Sequence, residues 1–294
     1  MRRWPALVLA AAIPLLAACA PASMAAFDQA ESGPRVVAAF YPLQYAAEQI
    51  GGSDVSVTNL TQPGVEPHDL ELSAQQVGEI ADADLVLYVK GFQPAVDEAI
   101  AQQAPDRAID VGALVTRLTL DGAADPHVWL DPSNMSTIGV SIAERMATIS
   151  PENAAAFAKN SAALTAEMST LSADYSSALA NCRTRTMVVS HDAFGYLAKA
   201  FGLTQVGISG LSPDAEPSPA RLREVADLVK TQKVSTIYYE TLLDPKVAQT
   251  IADETGASAQ KLDPLEGLQP GATGNYASVM IENLATLTKG QGCT

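Results

Sequence analysis

Only three histidines occur among the 294 residues, and each sits in a short segment rich in acids and turn residues: His68 in GVEPHDLELS, His127 in DPHVWLDP and His191 in VVSHDAFGYL. Neutral imidazole is the commonest metal-binding side chain. Three imidazoles with one carboxylate would make a closed site for a divalent transition metal. The histidines are 59 and 64 residues apart, so a shared site must be assembled by the fold and not by one local motif. A single loop histidine is more often a hydrogen-bonded structural residue than a ligand. Three from three in comparable segments, with none left over, weakens that reading.

The elements that must position them alternate short apolar runs with amphipathic stretches. Val36 to Phe40, Val55 to Leu60, Leu85 to Val89 and Ala108 to Val111 read as strands. Helices between them run to Ile50, from Ser73 to about Ala81, and from Gln93 to Ala104; Ser73 and Gln76 match a capping box. Residues 133–149 read as a helix stopped by Pro151, and residues 152–181, without Pro or Gly, as one long helix. The alternation then restarts, with strands at Thr186 to Ser190, Gln205 to Ile208, Thr236 to Tyr239 and Ala259 to Leu262. Helices are expected at Ala193 to Phe201, from Ser218-Pro219 to Gln232, at Lys246 to Thr255 and at Ala277 to Lys289. Strands separated by helices pair in parallel through βαβ crossovers. The expected fold is therefore α/β: two lobes, each a small parallel sheet flanked by helices, joined by the long helix acting as a strut.

On this plan the histidines fall in loops at strand ends, where open α/β sheets gather ligands. His68 and His127 belong to the first half and His191 to the second, which places a joint site in a cleft. The fourth ligand is expected from the second half. Asp263 in KLDPLEGL follows a strand as His191 does and is the first choice; Glu240, ending IYYE, is the runner-up. Glu66, Asp69, Asp125, Asp131 and Asp192 are candidates to orient the imidazoles, each being by itself as well explained as a cap, turn residue or solvated charge.

The chain's start reads as an export signal. Arg2 and Arg3 precede an apolar run from Ala6 to Ala18 that is too short to span a bilayer comfortably. The run ends in Leu16-Ala17-Ala18-Cys19, which resembles a bacterial lipobox with Cys19 as the lipidated residue; ordinary cleavage after Ser23-Met24-Ala25 is the alternative. The expected organisation is a signal peptide over 1–18, a flexible tether over 19–34, an N-terminal lobe over 35–149, a linking helix over 150–182 and a C-terminal lobe over 183–294. With Cys19 set aside, Cys182 and Cys293 remain, and an even pair in an oxidising compartment reads as a disulfide. Two free thiols acting as metal ligands are the other option, disfavoured because Cys293 is the penultimate residue. The net charge of −15 argues against nucleic acid as a partner and otherwise reflects solubility.

The segments GVEPHDLELS, ADADLVLYVKGF, ADPHVWLDP, VVSHDAFGYLAKAFGL, GLSPDAEPSP, IYYETLLDPKVAQTIADETGA and KLDPLEG together resemble the cluster A-I solute-binding lipoproteins of bacterial zinc and manganese ABC importers. The resemblance covers the chain from the lipobox onward. It implies two α/β lobes joined by one long helix, metal in the cleft, and ligands at His68, His127, His191 and Asp263. Glu240 matches a position that is usually acidic but not the fourth ligand. Manganese-type members usually carry glutamate at the third position. His191 there is softer and favours Zn²⁺ over Mn²⁺. Many zinc-type relatives carry a histidine-rich loop before the second ligand, whereas residues 112–126 hold no histidine. One Zn²⁺ per chain is expected, in a lipid-anchored monomer on the outer face of the membrane or in the periplasm, with a membrane permease as partner.

Two other readings compete. A zinc hydrolase also uses three histidines, but needs an open fourth position, and no HExxH-type helix is present. An adhesive surface protein could use metal merely to clamp two lobes.

Overall fold

The computed structural model describes residues 33–294 and, before them, only Met1. The rest of the signal peptide, Cys19 and all but the last two residues of the tether thus lie outside the described residues. The first half runs β1 (Arg35–Ala38), α1 (Tyr41–Gly51), β2 (Ser56–Asn59), α2 (Ala74–Asp82), β3 (Leu85–Tyr88), α3 (Pro94–Gln103) and β4 (Ala108–Asp110). A two-residue-stranded hairpin of β5 (Thr119–Leu120) and β6 (Ala123–Ala124) follows, then α4 (Pro132–Ile149) and α5 (Ala154–Ala178). The second half is β7 (Thr186–Val189), α6 (Gly195–Phe201), β8 (Thr204–Gly207), α7 (Pro219–Gln232), β9 (Thr236–Tyr239), α8 (Lys246–Thr255), β10 (Ser258–Lys261) and α9 (Tyr276–Gln291).

Each half holds a four-stranded sheet of the same topology, in the orders β2-β1-β3-β4 and β10-β9-β7-β8. Every ladder within them is parallel: Val36 pairs with Val57 and Leu85, Val188 with Val206 and Ile237. The central strands are almost wholly apolar because a parallel sheet covered on both faces buries both sides of each strand. Val36, Val37, Leu85, Val86, Met187, Val188 and Val189 are all buried. The first strand of each half has its second strand on one side and its third on the other. That arrangement opens a crevice beyond the carboxyl ends of the strands, the place where ligands bind in such sheets.

Capping chemistry starts the helices where the residues require it. Ser73 and Gln76 close the expected capping box on α2, and Ser218 accepts from the Arg221 amide ahead of Pro219 at the start of α7. The α5 helix is shorter than the 30 residues its composition suggests. Pro151–Asn153 form a separate 3-10 turn, and the helix keeps 25 residues, about 37 Å of length. It links the two halves and is also packed along its length. Phe157, Leu164, Met168, Leu171 and Tyr175 are buried, and the Tyr175 hydroxyl donates to the Met280 carbonyl on α9 at 2.7 Å. Against α4 the approach is close enough that a Cβ on Gly139 would fall 2.8 Å from Leu164 Cδ2. The larger apolar core is continuous from β1 through α5 to α9, and a smaller cluster fills the space between the second sheet and α7 and α8. The hairpin β5–β6 turns on Asp121-Gly122, both at positive φ, the Asp-Gly pair that two-residue hairpin loops favour, while its two-residue strands are too short to leave an alternating pattern. Among the described residues, no helix is long and apolar enough to cross a membrane.

Cys182 and Cys293 form a disulfide across a separation of 111 residues. The chain end is held beside it. Arg183 and Thr184 amides donate to the Gly292 and Gln291 carbonyls, and the Thr294 amide donates to Asn181. The bond sits before β7, at the opposite end of that strand from His191. Replacing both cysteines by serine is therefore expected to cost about 2–4 kcal/mol of stability in denaturant unfolding. Metal affinity measured on the folded variant should stay within a few-fold of the wild type, and a large loss would mean the bond supports the cleft directly.

Candidate metal centre

Four loops bring four buried side chains to one point. His68 arrives from the segment between β2 and α2, His127 from the stretch between β6 and α4, His191 from the residue pair after β7, and Glu266 from the loop after β10. Their ligand atoms all lie within 4.8 Å of one another. Glu266 Oε1 is 3.4 Å from His68 Nε2, 3.2 Å from His127 Nε2 and 3.1 Å from His191 Nε2, and the last two nitrogens are 3.2 Å apart. Ligand atoms at 2.0–2.1 Å from a tetrahedral zinc ion are separated by about 3.3–3.4 Å. Four of the six separations are thus those of such a site, and the other two, from His68 to the other imidazole nitrogens, are within 4.8 Å.

The expected fourth ligand, Asp263, is not among them. Its carboxylate turns back into its own loop: Oδ1 accepts from the Leu265 amide at 2.8 Å and Oδ2 from the Thr241 hydroxyl at 3.0 Å. Two acids follow β10, and placement at the strand end favoured the nearer one. The signal against it was Pro264. An aspartate directly before proline sits where turns begin and tends to bond its own backbone, which leaves the longer Glu266, three residues on, free to reach the histidines. The division of two groups from each half survives the exchange.

Glu240, the runner-up, stands behind the site. Its Oε1 lies 2.7 Å from His191 Nδ1 and accepts from the His191 amide at 3.2 Å. Asp125 treats His127 likewise, at 2.8 Å from Nδ1 and 2.9 Å from the amide. Carboxylates in these places fix the tautomer that leaves Nε2 facing the ion and raise its basicity. Glu66 accepts from the His68 amide at 2.9 Å, and its other oxygen is buried without a partner. The remaining acids have other tasks. Asp131 caps α4 through the Ser133 amide, Asp192 accepts from Gln205 and the Gly207 amide, and Asp69 is exposed beside Asp214.

Aromatic rings wall the site on the first-half side. Phe92 meets His68 edge-on at 4.6 Å, Trp129 lies 5.3 Å from His127, and Phe40 packs against both Phe92 and Trp129 at 4.7 Å. His127 and His191 are fully shielded from solvent, while His68 keeps 9% of its surface exposed. In this dry setting the charges act strongly on one another. Burial alone would pull the His191 pKa down, but Glu240 and Glu266 push it well above the ordinary value. His127 is raised in the same way against its burial, by Asp125 and Glu266. Burial would raise Glu266, yet His191 and His127 hold its carboxyl well below the usual range. The centre is therefore built around an ionised carboxylate facing imidazoles that an ion must deprotonate to bind.

Residues 36–290 match the family described as ZnuA, zinc-uptake complex component A, periplasmic. The zinc-binding lipoprotein AdcA of Streptococcus pneumoniae is 34% identical over 280 residues, covering 88% of this chain and 56% of AdcA. The chain thus spans little more than half the length of that relative. The high-affinity zinc uptake system protein ZnuA of Bacillus subtilis is 33% identical over 313 residues, 97% of each chain. Among solved structures, the Zn(II)-bound ZnuA-like domain of S. pneumoniae AdcA has a TM-score of 0.78 and 35% identity, covering 88% of this chain and 99% of that one. With the match spanning nearly the whole of both sheets and the linking helix, the chain belongs to the ZnuA family of metal-importer solute-binding proteins.

Proposed function

We propose that this chain captures one Zn²⁺ outside the cytoplasm and delivers it to the membrane permease of an ABC importer. The observation that carries the reading is the convergence of three buried imidazoles and one buried carboxylate within 4.8 Å, with Glu266 Oε1 at 3.1–3.4 Å from the Nε2 atoms of His68, His127 and His191. Three imidazole nitrogens favour Zn²⁺ over Mn²⁺, which prefers oxygen. Cu²⁺ would bind such a set at least as tightly in a test tube, so choice in the cell rests on geometry and supply. With Glu266 filling the fourth position, no ligand place is left for the activated water that a zinc hydrolase requires. The chain therefore acts by binding and not by catalysis.

The anchoring reading rests on sequence. The leader over 1–18 is removed, Cys19 carries lipid, residues 19–34 tether a monomer to the membrane, and lobes 35–149 and 183–294 flank the linker 150–182. Mass spectrometry of the exported protein should find a lipidated N-terminal Cys19. An unmodified start near Ala26 would replace this with ordinary secretion.

Titration against a strong chelator should give one Zn²⁺ per chain. His191→Ala and Glu266→Ala should each weaken binding by orders of magnitude. Glu240→Ala, which frees the ring of His191 while keeping all four ligands, should cost about tenfold to a hundredfold. Wild-type affinity in the His191 variant would sink the site.

The raised pKa values of His191 and His127 set the pH dependence. Protons held more firmly than on a free imidazole must leave when the ion binds, so the apparent affinity falls as pH drops. Calorimetry in buffers of different ionisation enthalpy should register proton release. Affinity constant between about pH 6 and pH 8 would contradict the charge arrangement described here.

A further inference from the structure

The loop that presents Glu266 is held in a conformation it would not choose alone. Leu265, immediately before the glutamate, is completely buried with φ of 59°, in the left-handed region that residues other than glycine, asparagine and aspartate seldom occupy. The direction of the Glu266 side chain depends on that dihedral, because a return of Leu265 to a right-handed or extended backbone would swing the following residue away from the three imidazoles.

Five hydrogen bonds hold the turn. Asp263 Oδ1 accepts from the Leu265 amide at 2.8 Å, and Thr241 fixes the other Asp263 oxygen at 3.0 Å. Asn283 on α9 grips the Asp263 backbone from both sides, accepting from its amide at 2.9 Å and donating to its carbonyl at 2.7 Å. Trp129, two residues from His127, donates its indole N–H to the Pro264 carbonyl at 2.8 Å. Of these, only the Asp263 Oδ1 bond engages the amide of the residue with the unusual dihedral.

We propose that Asp263 is a positioning residue whose carboxylate, acting as a hydrogen-bond acceptor, clamps Leu265 in the left-handed conformation and so aims Glu266 at the ion. It thereby sets the coordination geometry and the residence time of the bound metal. The proposal rests on the reading of Glu266 as the fourth ligand. It separates two roles for two acids three residues apart: Glu266 needs its charge, whereas Asp263 needs only an acceptor oxygen at the right place.

That difference is testable on the full chain with Co²⁺ as a spectroscopic probe, Zn²⁺ transfer to a chelator for the dissociation rate, and melting of the metal-free protein. Asp263→Asn keeps an acceptor oxygen and is expected to retain the intense visible bands of tetrahedral Co²⁺ and a near-wild-type rate. Asp263→Ala is expected to weaken those bands and to speed Zn²⁺ release about tenfold to a hundredfold. If Asp263→Ala does not fold, Asn283→Ala, which releases the backbone of the same turn, takes its place with the same expected outcome. Loss of binding in Asp263→Asn as severe as in Glu266→Gln would overturn the proposal, because the charge of Asp263 would then be what matters. Unchanged spectrum and release rate in a folded alanine variant would overturn it too. Glu266→Gln that binds Zn²⁺ as the wild type does would instead remove the fourth-ligand reading, whatever the Asp263 variants show.

Discussion

One carboxylate oxygen facing three imidazole nitrogens in a dry cavity is the constraint on which the rest of the structure depends. Glu266 Oε1 lies 3.1–3.4 Å from each of them. Burying an unpaired carboxylate costs many kcal/mol, and the cost is recovered only where opposite charge or hydrogen bonds stand close by. The four groups belong to loops from both sheets, so none can be satisfied unless the two halves meet at this place. A continuous apolar core from β1 to α9 supports that meeting. The aromatic wall of Phe40, Phe92 and Trp129 keeps water from competing for the ligand atoms.

Much of this was legible from residue types. The strand and helix pattern appears at the expected places because each short element is either an unbroken apolar run or an amphipathic one with its own cap. The strand Thr236–Tyr239 and the helix Lys246–Thr255 match to the residue, the latter because Gly256 ends it in the left-handed conformation. The histidines were readable because nothing else competed for the role. Glu266 was not, because the choice between two acids in one loop depends on a backbone dihedral at Leu265 and on a proline-directed turn, neither of which leaves a periodic mark. The start of α5 is hidden for a related reason. Residues 152–181 contain no breaker, but Pro151 just ahead of them fixes a tight turn that continues through Asn153 before the α-helix begins.

The supporting acids divide the site into a rigid part and a more open one. His127 and His191 each have a carboxylate on Nδ1, at 2.8 and 2.7 Å, and the same carboxylate holds the backbone amide. Both rings are thereby fixed in position and in tautomer. His68 is held through its amide by Glu66, and among the described residues no carboxylate stands behind its ring. It is also the histidine that keeps some exposure. The ion's surroundings are consequently stiffest on the side of β7 and the 127–131 segment and least constrained beside the β2–α2 loop.

This asymmetry fits the proposed role, in which the ion must be both held and surrendered. Three imidazoles and a carboxylate in tetrahedral array bind zinc tightly, and a site rigid on every side would release it slowly. Opening such a site does not require the two halves to swing apart, which the shared core and the packed α5 helix oppose. It requires only that one or two ligands move, and the two best placed to do so differ in kind. The His68 ring is held by the Phe92 edge but by no carboxylate among the described residues, whereas Glu266 is aimed by a turn whose Leu265 dihedral is costly without its clamps. Any contact that disturbed the Asp263 turn would withdraw the one negative charge in the ligand set. The imidazoles would then keep the ion without the carboxylate that partly neutralises it. On the proposed role of Asp263, the bonds around Leu265 therefore bear on holding and release alike.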